Sequence, residues 1–211
     1  MQTGVLLTKG ATIQIFGIVI VALTMIEMFT IPKNYFVLAS IVSTTSMICV
    51  AVLVSKPFWQ SQRPKVRNLG VAVVLAFALY GVFSIGNYAI RTLSPFGIQS
   101  NNEQTIYGLF QNDPVPLLIL VFALDAIGFE TYFRGNLQSV FTPRLGIVSV
   151  FLVALIDALI HVSTFNPLFP ATVLVSDSVW GLNYYFTKDI YSNIATHFLW
   201  DLLIFVLFPI H

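Results

Sequence analysis

Apolar residues in this chain come in blocks of about 20, each long enough to cross a hydrocarbon core of about 30 Å as a helix. Seven blocks follow one another, over about 11–31, 35–54, 69–90, 117–141, 146–164, 171–186 and 191–210. A helix satisfies its backbone hydrogen bonds within one segment, as lipid requires. The expected fold is therefore all-α: a polytopic transmembrane helical bundle of about seven spans (six to eight), forming a single integral membrane domain over 1–211. The composition points the same way, with 57% hydrophobic and only 9% charged residues, against roughly 25% charged in a soluble domain. That excludes an ordinary water-soluble globule.

Short polar breaks separate the blocks. Ile31-Pro32-Lys33-Asn34 reads as a turn, as do Thr142-Pro143-Arg144 and Lys188-Asp189. Asn166-Pro167-Leu168-Phe169-Pro170 breaks the helix after the fifth block. The segment from Arg91 to Pro116 is too polar to span, and its apolar patch from Ile106 to Phe110 suggests a short interfacial helix. Seven spans place Lys9, Lys56, Arg63, Lys65, Arg67, Arg144 and Lys188 on one side, and only Lys33 and Arg91 on the other. Cytoplasmic loops carry the excess of Lys and Arg, so the N-terminus is expected in the cytoplasm, in a plasma membrane or its equivalent. Lys9 precedes a long apolar run with no small-residue cleavage site, which reads as a retained first helix. A net charge of +1 gives no reason to expect nucleic acid. The single Cys49, in an apolar segment, excludes disulfides and Cys-based metal sites within the monomer.

Six of the nine acidic residues fall inside the blocks: Glu27, Asp125, Glu130, Asp157, Asp177 and Asp201. His161 and His197 do so too, as does Arg134. An ionised group at mid-bilayer costs about 2.5–3.5 kcal/mol on insertion scales, so such residues face a bundle interior or a wet cavity. Glu27 lies near a helix end and is expected to reach the interface. Asp177 is expected to cap a broken sixth helix. Glu130/Arg134, Asp157/His161 and His197/Asp201 each stand four residues apart, on one face of a helix. Three polar faces on three helices call for one shared interior, a slot between the fourth, fifth and last spans.

A carboxylate and a neutral imidazole aimed at one water can deprotonate it for attack on a carbonyl. A second imidazole with a polar neighbour can stabilise the resulting oxyanion. The guanidinium can hold a carboxylate in one rotamer. This inventory fits peptide-bond hydrolysis within the membrane, and equally a proton relay in a transporter. Two His and an Asp could also hold zinc with an open fourth position, but no HExxH-type spacing is present, and no metal or cofactor is expected.

An apolar helix with a Glu-x-x-x-Arg-Gly core, then a helix ending in His, then His-x-x-x-Asp resembles the CPBP family. That family comprises the type II CAAX prenyl endopeptidases and the Abi-type bacteriocin-processing or immunity membrane proteins. Its pattern is E-E-x-x-x-R, F-x-x-x-H and H-x-x-x-N or H-x-x-x-D. Here the motifs read Phe129-Glu130-Thr131-Tyr132-Phe133-Arg134, then Asp157-Ala158-Leu159-Ile160-His161, then His197-Phe198-Leu199-Trp200-Asp201. The resemblance covers about 115–205. It implies Glu130 with Arg134 as a structural pair, His161 as the imidazole beside the water, and His197 with Asp201 on the oxyanion side. It also implies a membrane-delivered peptide or prenylated peptide as substrate, with membrane lipid as the surroundings.

Two positions depart from the pattern. The family's first glutamate, the water-activating base, is Phe129 here, and the phenylalanine four before the histidine is Asp157. Phenylalanine cannot accept a proton, so the simplest expectation is lost or reduced peptidase activity. The alternative is a relocated base: Asp157, one turn from His161, or Asp125, one turn before Phe129. The sequence thus leaves open a weakly active or inactive CPBP-type peptidase, a non-catalytic scaffold or immunity-type membrane partner, and a small proton-coupled transporter. The absence of repeated halves counts against the last.

Overall fold

The protein is described by a computed structural model that covers residues 9–54, 63–93, 107–110 and 113–210. Seven helices form among the described residues, with no strand. They are α1 (Lys9–Thr30), α2 (Phe36–Val54), α3 (Val66–Leu93), α4 (Val115–Leu145), α5 (Val148–His161), α6 (Leu168–Thr187) and α7 (Ile190–Leu207). Four stretches are long and apolar enough to cross a membrane alone: Lys33–Leu53, Val66–Thr92, Val115–Leu145 and Ile190–Leu207. Phe16–Thr30 and Val148–Thr164 are shorter apolar helices. The fold is an all-α membrane helical bundle. The expected interfacial helix between 91 and 116 falls largely outside the described residues.

The bundle is apolar outside and polar within. Phe77, Val74, Ile85 and Tyr88 on α3 are exposed, while Arg134, Glu130, Gln138, Asp157 and Asn193 are buried. Lipid, unlike water, does not drive Leu and Phe inward, so helices associate through close packing and interhelical hydrogen bonds. Gly128 on α4 shows the close packing. A Cβ there would lie 2.5 Å from Thr44 Cγ2 on α2, and 3.1 Å from the Thr44 carbonyl oxygen. Gly181 on α6 gives the same service to α5, with a Cβ position 2.7 Å from Val150 Cγ1. Interhelical hydrogen bonds join the other pairs. Asp189 caps α7 by accepting from the Tyr191 and Ser192 amides, and its other oxygen accepts from Asn68 Nδ2 of α3 at 2.9 Å. Ser192 donates in turn to the Asn68 carbonyl at 2.9 Å.

Three local expectations change. Thr142-Pro143-Arg144 does not turn the chain, because α4 runs through Pro143 to Leu145 and reverses at Gly146, with φ 54°. A positive φ of this kind is free for glycine and costly for most residues. After the break at Asn166-Pro167, α6 already begins at Leu168 and carries Pro170 in its first turn, where backbone N–H groups have no helical partner to lose. Asp177 then caps nothing: it is buried in the middle of an unbroken α6.

Midway along α4 the helix widens. Glu130 to Gln138 forms a π-helix, and all nine residues are buried. Leu202–Leu207 at the end of α7 is a second π segment. Short π segments inside α-helices occur frequently at functional sites.

Candidate active site

The π segment places Glu130 and Arg134 at the centre of a buried polar cluster. Arg134 Nη2 lies 2.6 Å from Asp177 Oδ1, and Nη1 lies 3.2 Å from Asp177 Oδ2. Nη2 also donates to the Asp177 carbonyl at 3.2 Å. The expected i,i+4 partner is farther off, with Arg134 Nε 3.4 Å from Glu130 Oε2. Bidentate pairing of this kind fixes a planar guanidinium in orientation as well as position. Arg134 thus ties α4 to α6, and Glu130 is left to face α7.

Glu130 is held by α7 at two points. His197 Nδ1 donates to Glu130 Oε1 at 2.9 Å, and Asn193 Nδ2 donates to Oε2 at 3.0 Å. Asn193 also donates to the Trp180 carbonyl at 2.7 Å and accepts from Asn183 at 2.6 Å. The other ring nitrogen, His197 Nε2, lies 3.6 Å from Asp201 Oδ2. Trp180 stacks on the His197 ring, with centroids 3.8 Å apart and planes 17° apart. Carboxylates at both nitrogens and an indole on one face leave this imidazole a single orientation.

His161 closes α5 on the other side. Its Nδ1 donates to the Asp157 carbonyl at 2.9 Å and stands 3.2 Å from Asp157 Oδ1. Phe29 and Phe169 pack around the ring at centroid distances of 5.3 and 5.2 Å. Nδ1 is therefore the protonated nitrogen, which leaves Nε2 as an acceptor; the hydrogen bond that one ring nitrogen makes sets the role of the other.

Phe129, in the place of the family's first glutamate, lies between the two imidazoles. Its ring centroid is 6.3 Å from that of His161 and 5.9 Å from that of His197, and it stacks on Phe133 at 5.7 Å. Asp125, one turn earlier, accepts hydrogen bonds from Ser40 (2.8 Å) and Thr44 of α2. Its carboxylate is directed to α2, while Asp157 is the carboxylate beside His161.

These groups surround a cavity of about 400 Å³. Asp125, Phe129, Asp157, His161, Asp177, His197 and Asp201 line it, and Glu130 and Arg134 stand behind that lining. The slot expected between three spans is wider than that. Phe29 of α1, Ser40 of α2 and Val82 of α3 also contribute, so every helix reaches it. Most of the wall is aromatic or aliphatic, with the polar groups set among it. No group of three or more His, Cys, Asp or Glu side chains able to hold a metal ion occurs among the described residues.

Three residues that matter to the cluster were not singled out in the sequence. Asn193 sits four residues before His197, so an Asn193–His197–Asp201 stripe is legible there once the helix is assumed. Ser40 and Thr44 show the same spacing opposite Asp125, yet a hydroxyl in an apolar helix is too common to stand out.

The cavity thus brings together two oriented imidazoles, adjoining carboxylates and a largely apolar wall. Residues 111–203 match the family model of the Rce1-like type II CAAX prenyl endopeptidases. The resemblance carried by the three motifs thus holds over that stretch. No curated protein and no solved structure matches the chain.

Proposed function

We propose that this protein holds an apolar, membrane-delivered peptide in its cavity and hydrolyses it, with the Asp157–His161 pair doing the work that the family assigns to glutamate and histidine. The observation that carries the reading is the 3.2 Å approach of Asp157 Oδ1 to His161 Nδ1 inside the cavity wall. The Asp157 carbonyl, which accepts from Nδ1, holds the imidazole in one tautomer with Nε2 free to take a proton, and the carboxylate beside the ring favours the imidazolium that results.

The reaction runs in two steps. His161 Nε2 takes a proton from a water as the water oxygen bonds to the scissile carbonyl carbon, and the C=O π pair moves onto the carbonyl oxygen. His197, carrying a proton on both nitrogens between Glu130 and Asp201, donates its Nε2–H to that oxyanion. The oxyanion then re-forms the carbonyl, the C–N bond breaks, and the proton on His161 passes to the departing nitrogen. The products are a carboxylic acid and an amine. Glu130 remains a carboxylate that orients His197, and Arg134 holds the segment carrying Glu130 against α6.

The Phe129 ring favours a second reading. It fills space between the imidazoles, so the cavity could bind a peptide or a membrane partner without cutting it. Purified protein in lipid nanodiscs, given a fluorogenic apolar peptide, separates the two. Hydrolysis that disappears in both His161→Ala and Asp157→Asn supports the dyad. Peptide binding without any turnover supports the non-catalytic reading.

The orientation of the chain is part of the proposal. Seven Lys and Arg on one side against two on the other favour an N-terminus in the cytoplasm.

A further inference from the structure

We infer that the cavity holds a cation: a protonated primary amine on an apolar stem, seated between Asp125 of α4 and Asp201 of α7. The inference rests on the reading of the cavity as a ligand site and adds the charge of what enters it.

Register brings the two carboxylates together. Phe122 of α4 stacks on Phe205 of α7 with centroids 5.4 Å apart. Phe129, two turns further along α4, meets His197, two turns earlier on α7, at 5.9 Å. The two helices therefore run antiparallel, and the residues midway between these contacts oppose each other. On α4 that residue is Asp125, and on α7 it is Asp201. Both line the cavity.

Neither carboxylate has a cation within hydrogen-bonding distance among the described residues. The donors to Asp125 are neutral hydroxyls, Ser40 at 2.8 and 2.9 Å from its two oxygens and Thr44 beside it. Asp201 is only 5% exposed and accepts no hydrogen bond; His197 Nε2 stands off at 3.6 Å, while Nδ1 of the same ring is engaged by Glu130.

The charges around the cavity do not balance. No Lys or Arg is among the described residues that line it, and Arg134 behind the wall is engaged by Asp177 and Glu130. Even with His161 and His197 both protonated, these three cations face five carboxylates, those of Asp125, Glu130, Asp157, Asp177 and Asp201. A carboxylate buried without a partner is costly. The surplus falls on Asp125 and Asp201, and a positive charge on the ligand offsets it.

The wall selects the kind of cation. Trp200, next to Asp201 in the chain, packs on Phe83 with centroids 5.2 Å apart, and both rings line the cavity together with Phe122 and Phe205. Aromatic faces attract an ammonium group and suit the apolar stem that carries it. A calcium or magnesium ion asks instead for about six or more oxygen ligands, and none of the described acidic groups forms such a set. The N–H donors of an ammonium can divide between Asp201, whose lone pairs are all free, and the lone pairs of Asp125 that Ser40 and Thr44 leave open.

Calorimetry on the full chain in lipid nanodiscs, with empty nanodiscs as reference, tests this without any need for turnover. The probes are benzylamine, protonated at neutral pH, and benzyl alcohol, its neutral counterpart of similar shape. The expected result is tighter binding of benzylamine by about tenfold or more, the size of one hydrogen bond to a charged group. Asp201→Asn removes the charge from a side chain that accepts no hydrogen bond, and should abolish the preference. Asp125→Asn keeps a carbonyl oxygen for Ser40 and Thr44, and should reduce it. Equal affinity for the two probes, as when protons alone neutralise the pair, overturns the inference. A preference unchanged in either variant also overturns it. Two apolar peptides that differ only in lysine or norleucine at one position then identify the source of the amine. A lysine preference that is lost in Asp201→Asn assigns it to a peptide side chain; amine binding with no such preference assigns it to a free amphiphilic amine. Amine binding by protein that cuts no peptide overturns the hydrolase reading alone, and hydrolysis with no preference for a cation overturns this inference alone.

Discussion

Asp177, not Glu130, is the principal partner of Arg134: the 2.6 Å contact between Arg134 Nη2 and Asp177 Oδ1 crosses from α4 to α6, while the partner one turn away stands at 3.4 Å. Glu130 is thereby free to grip His197 and Asn193 on α7. One guanidinium therefore sets the spacing of three helices. Removing one member of a buried pair strands the other, at a cost of roughly 3–5 kcal/mol. Arg134→Ala and Asp177→Ala should each lower the detergent melting temperature far more than Thr131→Ala, whose hydroxyl makes no hydrogen bond. Melting of Arg134→Ala at the wild-type temperature would contradict the pairing.

The dyad makes a demand on kinetics. A positioned general base contributes about 10²–10⁴-fold, so His161→Ala should reduce peptide hydrolysis by at least about a hundredfold. Asp157→Asn should fall with it, while melting temperature and peptide affinity hold near wild type. If cleavage persists in Asp157→Asn, the base lies elsewhere, and Asp125→Asn is the variant to assay next.

Restoring the family's glutamate is a sharper question. Phe129→Glu puts a second carboxylate beside Glu130 and near Asp157, and removes a ring that stacks on Phe133. Like charges at close range oppose each other's ionisation. The variant should melt below wild type and hydrolyse no faster. A rise in turnover of about tenfold or more, worth roughly 1.4 kcal/mol in the barrier, would show that the position of Phe129 is still the better seat for the base.

Close helix contact gives a prediction that owes nothing to catalysis. Gly128→Ala sets a methyl against Thr44, whose side-chain and backbone atoms both lie inside contact distance of the new Cβ. Overpacking of this kind costs about 1–3 kcal/mol. Because Thr44 donates to Asp125, the same change should disturb the cavity wall. Gly70→Ala on α3, where a Cβ meets nothing within 4 Å, is the control and should leave the melting temperature unchanged.

Much of this was legible in the sequence, for local reasons. Apolar blocks of span length announce helices, and a polar pair four residues apart shares a face whatever the helix packs against. Asp157/His161 and Glu130/Arg134 needed only that rule. Asp177 did not yield to it, because its partner lies 43 residues away and nothing on α6 points to α4. Two prolines ahead of the sixth block, Pro167 and Pro170, suggested a broken helix, and a lone aspartate in a broken helix reads as a cap. Pro143 misled in the same manner: a proline near a helix end is compatible with the last turn as well as with a reversal, and Gly146 with its positive φ decides between them. The π widening of α4 leaves no mark on hydropathy, since it changes the backbone register and not the residues.

The nine buried residues from Glu130 to Gln138 also act as a plug. On α4 the cavity lining ends at Phe129, and every residue of the segment beyond it is out of reach of solvent. Glu130 and Arg134 are fixed there to α7 and α6, so a continuous path for ions past them would require those helices to part. The chain can thus keep a cavity inside the bundle without opening a pore through it.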